Sequence, residues 1–266
     1  GHGNNTWNGL PPDPWPHTSE TTVTGNGCEN CHTPHNAGSR PRLLNFAGEE
    51  QNCFPCHNGN VARHNVQAEF NKISVHPVGG APGVHDPTED LVNPPRHVTC
   101  ADCHNPHASR VNGCEDCHVS AGVKPVTATG LLAGVKGIGA SGGAVDPVVY
   151  QYELCFRCHG DSVNRGPARV PRQFVQTNAR LAFSSSNASY HPVTAVGRSA
   201  DVPSLLAPYT TVSRINCTEC HNSSQGRQAG GAGPVGPHGS EYIPLLERRQ
   251  ELTDYQMESS AIYALC

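Results

Sequence analysis

Long hydrophobic runs are missing from this chain. No segment approaches the roughly eighteen consecutive apolar residues that a membrane-spanning helix needs, so no transmembrane segment is expected. Core-forming side chains are scarce as well: Leu, Ile, Val and Phe account for 49 of 266 residues, just under the one-fifth below which a chain struggles to build its own core. Methionine occurs once, at Met257. A strong charge imbalance is also absent. The formal net charge of −4 is small for an intrinsically disordered chain, and its sign argues against nucleic acid as a partner. Gly and Pro, by contrast, are plentiful at 28 and 23 residues.

What the chain does hold is cysteine in one repeated setting. Twelve of thirteen cysteines fall in six copies of Cys-x-x-Cys-His: Cys28, Cys31 and His32; Cys53, Cys56 and His57; Cys100, Cys103 and His104; Cys114, Cys117 and His118; Cys155, Cys158 and His159; Cys217, Cys220 and His221. A bare Cys-x-x-Cys also suits a structural zinc knuckle. Tetrahedral zinc does not require a histidine directly after every second cysteine, whereas covalent attachment of haem c does. Two intervening residues let one backbone turn offer both sulfurs to one porphyrin edge, and the next side chain reaches the iron. Only nine residues separate His104 from Cys114, and an extended chain covers at most about 3.5 Å per residue, so those two haems must be near neighbours.

Six porphyrins would supply the apolar surface that the side chains lack. The expected fold is therefore haem-organised: mostly irregular coil with short α-helices and little β, and an apoprotein that is largely unfolded. Haem c is attached outside the cytoplasm, so export is expected. The opening GHGNNTWNGL shows no basic start or apolar run, which reads as a secretion signal already removed.

Residues 1–27 hold four prolines and no helical period and read as an extended arm; residues 28–266 read as one multihaem unit. Comparison of the chain with itself shows an internal repeat. CFPCHNG, VHPV and CADCHNPH, over 53–107, are answered by CFRCHGD, YHPV, CTECHNSS and GPHGS, over 155–238. Between the copies, at about 120–150, a glycine-rich stretch reads as a flexible connector. Its Gly137, Gly139 and Gly142 spell G-x-G-x-x-G without the strand and helix that a dinucleotide site needs. The segment after Ser240, with Ile243, Leu246 and Leu252 roughly on one face, is the best helix candidate. Cys266 ends Tyr-Ala-Leu-Cys, which resembles the Tyr-Glu-Leu-Cys that opens the fifth motif at Cys155. It fits the first residue of a seventh motif, and so a seventh haem, if the polypeptide continues; a free thiol or an intermolecular disulfide are the alternatives.

The sixth iron position decides between electron transfer and catalysis. Ten histidines lie outside the motifs: His2, His17, His35, His64, His76, His85, His97, His107, His191 and His238. That is enough for every iron to be bis-histidine, whereas Met257 could serve only one. Histidine pairs imply low-potential haems. His35 and His107 stand three residues past a proximal histidine, where each can cap a neighbouring haem. His76 and His191 recur before Pro-Val, and His238 in GPHGS matches His107 in NPHAS. His17 completes the pattern as the sixth distal ligand, with His97 as the reserve and His2, His64 and His85 as solvated residues.

CHTPHNA, CADCHNPHAS, NASYHPV and GPHGS together resemble the doubled Cys-x-x-Cys-His multihaem c-type cytochromes, over most of residues 15–266. Some proteins of this general kind, the extracellular cytochrome filaments of the OmcS and OmcE type, stack subunits into conducting wires. The resemblance implies copies of the chain itself as partners, with His35 as the position that caps a haem of the next subunit, and other redox proteins or external acceptors beyond them. Three functions remain open. An electron conduit, extracellular or at the cell surface and built into a filament, needs every iron saturated. A soluble periplasmic shuttle differs only in assembly. A multihaem reductase needs an open iron beside acid-base groups; no Cys-x-x-Cys-Lys variant occurs and the histidine surplus makes an open iron unnecessary, so no enzyme is expected.

Overall fold

The computed structural model describes residues 28–80, 83–109, 126–128, 130–164 and 177–265. Across them the chain is mostly coil with a few short helices and two small antiparallel sheets, the architecture that a shortage of core formers predicts. Among the described residues, buried polar and charged side chains outnumber buried apolar ones, so hydrogen bonds, not aliphatic packing, organise much of the interior. Two compact units emerge. The described part of the first runs up to Asp86, through His97–Asp102 and on from Cys220; the second holds Pro87–Arg96 and the described part of Cys103–Glu219.

In the first unit, helix α1 spans Glu49–His57. Glu49 and Glu50 occupy its first turn, where acidic side chains meet the positive end of the helix dipole, and Gln51 Oε1 accepts from the Gly48 amide at 3.2 Å. Strand β1 (Ser74–Val75) pairs antiparallel with β4 (Gly239–Ser240), in the register Ser74 to Ser240 and Val75 to Gly239. Only glycine fits at 239, because a Cβ there would run into the Glu69 carbonyl. A buried polar network ties these pieces together. Lys72 Nζ donates to both Glu69 oxygens, at 2.7 and 2.8 Å, and to Ser223 Oγ at 3.2 Å. Asn222, fully buried, donates to Gln228 Oε1 and Glu247 Oε2, both at 2.8 Å, and accepts from the Gly236 amide at 2.6 Å.

The helix expected after Ser240 does not form. Pro244 brings no N–H, and Leu245 sits at φ +58, outside helical space. The segment folds back instead: Leu246 N donates to Tyr242 O at 2.9 Å, and Ser240 Oγ donates to Leu246 O at 2.5 Å.

The second unit is built on helix α3 (Gln151–His159), with Glu153 Oε2 accepting from the Val149 and Tyr150 amides at 2.7 and 2.9 Å. Against it packs a hairpin of β2 (Gly137–Ile138) and β3 (Ala144–Val145). The described part of the expected connector at 120–150 is therefore ordered. Ile138 enters the core with Tyr152, Phe156 and Val193, and Gly137 approaches α3 so closely that a Cβ would strike the Glu153 carbonyl. The glycines serve close packing and the tight turn, where Gly142 has φ +88. Arg214 lies 4.7 Å over the Tyr150 ring, which stacks on Tyr152 with centroids 5.5 Å apart. Arg157 and Glu89 form a buried ion pair. The short helices α2 (Cys100–Cys103) and α4 (Ala179–Ala182) complete the inventory; Asn178 caps α4 by accepting from the Leu181 amide at 3.1 Å.

Candidate haem centres

Backbone turns present the cysteines in the way covalent attachment requires. Cys53 and Cys56 lie three residues apart on one face of α1, which closes on His57; α3 repeats this with Cys155, Cys158 and His159. Cys100 and Cys103 bound the single turn of α2, and Cys217 opens a 3₁₀ turn that runs to Glu219. At the first motif the His32 amide donates to Cys28 O at 2.9 Å, which closes one turn. Among the described residues every cysteine is a free thiol, so no disulfide competes for these sulfurs.

Four of the motifs come in two pairs. In the first unit the Cys53 thiol is hydrogen-bonded to Cys100, and this bond, with burial, pushes it well above the ordinary thiol range. In the second unit Cys155 is raised in the same way by its bond to Cys217 and by burial. One hydrogen bond recurs beside each pair. The residue four before the first cysteine accepts from the amide just after the second motif's first cysteine: Ala101 N to Glu49 Oε1 at 2.6 Å, and Thr218 N to Gln151 Oε1 at 3.2 Å. Glu49 adds a second bond, from the His85 amide at 2.9 Å.

An acidic residue inside the second motif of each pair caps its turn. Asp102 Oδ2 accepts from the Thr99 amide at 2.7 Å, and Glu219 Oε2 accepts from the Asn216 amide at 2.5 Å. Their other oxygens differ in company. Glu219 Oε1 takes the Tyr209 hydroxyl, whereas Asp102 Oδ1 stands 3.0 Å from His85 Nδ1 and 3.4 Å from His97 Nε2. Burial works to raise the Asp102 carboxyl, but the bonds from His85 and Thr99 and the nearby His97 outweigh it and hold it below its ordinary value.

The imidazoles provide the test of fit to haem. His32 Nδ1 lies 2.9 Å from Arg42 O, His104 Nδ1 3.1 Å from Leu131 O, His221 Nδ1 3.1 Å from Pro244 O, and His76 Nδ1 2.6 Å from Pro237 O. A carbonyl can only accept, so Nδ1 carries the proton and Nε2 keeps its lone pair. This is the tautomer an iron ligand needs, with ring orientation fixed by the second bond. His76 is also shifted below its ordinary value, chiefly by burial, which keeps it neutral. The residues present fit haem c.

Of the expected distal ligands, His35, His107 and His191 are exposed, while His76 and His238 are half-buried in the first unit, His238 edge-on to Phe70 with centroids 6.1 Å apart. His64 and His85, expected as solvated, are half-buried, and His85 packs against His97 with centroids 6.0 Å apart. His17, Cys114, Cys117, His118 and Cys266 lie outside the described residues, as do residues 1–27. Glu49, Asp102 and Glu219 were missed as positioning groups. The signal for two of them was present: Thr99-x-x-Asp102 and Asn216-x-x-Glu219 are capping patterns that overlap the haem motifs.

No helix among the described residues is long and apolar enough to cross a membrane. No curated protein and no solved structure matches the chain. Residues 21–62, which span the first two motifs, match the family described as the doubled CXXCH motif. That match and the motif geometry support a multihaem c-type cytochrome whose Cys-x-x-Cys-His motifs bind haem c covalently and serve electron transfer.

Proposed function

We propose that this protein carries six haem c groups, each ligated by two histidines, and conducts electrons along them without catalysing a reaction of its own. Copies of the chain assemble into an extracellular filament that delivers electrons to external acceptors. The observation that carries the reading is the set of imidazoles at His32, His76, His104 and His221, each held through Nδ1 by a backbone carbonyl. Haem supplies one-electron storage at each iron; the protein supplies fixed ligands on both faces, which limits structural change as charge moves. The paired motifs favour transfer, because the Cys53 and Cys100 sulfurs, and those of Cys155 and Cys217, anchor neighbouring haems side by side. Exposed His35 is available to cap a haem of the next subunit.

Intact mass of the purified protein should give six haems, and its spectra should be low-spin throughout, with no cyanide or carbon monoxide binding. An open iron would favour the reductase. Electron micrographs should show filaments that His35→Ala disperses with the haem count unchanged; small monodisperse particles at high concentration would leave the periplasmic shuttle.

A further inference from the structure

His76 and His221 are 145 positions apart in sequence, yet one loop governs both rings. The loop runs from Pro237 to Pro244. At one end the Pro237 carbonyl takes His76 Nδ1 at 2.6 Å; at the other the Pro244 carbonyl takes His221 Nδ1 at 3.1 Å. Both rings therefore carry their one N–H proton at Nδ1 and offer Nε2 as a lone-pair donor. The loop is fixed in turn: β4 within it pairs with β1, whose Val75 directly precedes His76, and Ser240 Oγ ties its base to Leu246 O. Buried Asn222, next to His221, accepts from the Gly236 amide just before the loop. Both histidines and the whole loop lie in the first unit.

We propose that His76 is the second axial ligand of the haem whose proximal ligand is His221, and that residues 237–244 are the bracket that sets this ligand pair. The proposal rests on the bis-histidine reading above and assigns one pairing within it. His76 belongs by sequence to the first copy of the internal repeat and the sixth motif to the second, so the pairing joins the two copies through iron. Position along the chain would instead have assigned His76 to a haem next to it in sequence.

The test uses the full holoprotein. His76→Ala should keep all its haems but convert one haem equivalent to a high-spin, carbon monoxide-binding form in magnetic resonance and optical spectra. The same substitution in a Cys217→Ala, Cys220→Ala background, which lacks the sixth haem, should produce no new high-spin iron. Low-spin iron throughout in His76→Ala, or a high-spin haem that persists in the background lacking the sixth haem, would overturn the pairing. Should the alanine variant not fold, His76→Met keeps a ligand: one haem should shift to higher potential with a methionine–iron band, and that signal should vanish in the same background. Its persistence there counts against the proposal. High-spin iron in the unsubstituted protein would instead undermine the bis-histidine reading itself.

Discussion

Glu49 is a single carboxylate on which two backbone amides depend, those of His85 and Ala101. Its side chain is buried, so truncation strands both donors away from water. Glu49→Ala should cost about 2–4 kcal/mol of stability in denaturant unfolding, and Glu49→Gln about half of that, because one carbonyl oxygen remains, as it does at Gln151. Asp102 gives a pH-dependent version of the same argument. A carboxyl held below its unfolded value stabilises the fold above that value, and the contribution is lost as pH falls through the lower folded value. The stability gap between the native protein and Asp102→Asn should therefore be full at neutral pH and close below about pH 4, followed by thermal unfolding across that range.

Elements in this protein are short and are held by specific contacts. The hairpin of β2 and β3 reaches α3 because position 137 has no Cβ, so Gly137→Val should separate them and lower the melting temperature, with lost protection from hydrogen exchange at Ile138. The buried Arg157–Glu89 pair, whose arginine lies inside the fifth motif, belongs to this scale as well. Arg157→Met alone takes the guanidinium from a buried carboxylate and should cost about 3–5 kcal/mol, whereas Arg157→Met combined with Glu89→Leu should recover most of that loss, read from denaturant midpoints. The segment after Ser240 shows how an apolar period misleads when a proline interrupts it. Ile243, Leu246 and Leu252 suggested a helical face, but Pro244 cannot donate, and the resulting turn offers its carbonyl to His221.

At the scale of the whole molecule, the interior among the described residues is more polar than apolar, and its one buried hydrophobic cluster centres on Ile138, Tyr152, Phe156 and Val193. Such a core is small for a chain of 266 residues. Protein made without haem attachment should therefore show little helix by circular dichroism and no cooperative thermal transition, while the holoprotein shows both; a cooperative apoprotein transition would contradict this.

Sequence by itself determined the attachment chemistry, since the thiol pair and the adjacent histidine act within one backbone turn. It also determined the fold class, because a chain so short of aliphatic residues and so rich in Gly and Pro can form only brief elements. Tertiary structure alone decided what depends on residues far apart. The grip of Glu49 on Ala101, the pairing of Cys53 with Cys100 and Cys155 with Cys217, and the loop whose Pro237 and Pro244 carbonyls hold His76 and His221 follow no local period. A hydrogen bond across fifty or more residues leaves no spacing in the sequence, because coil can take any path between its fixed points.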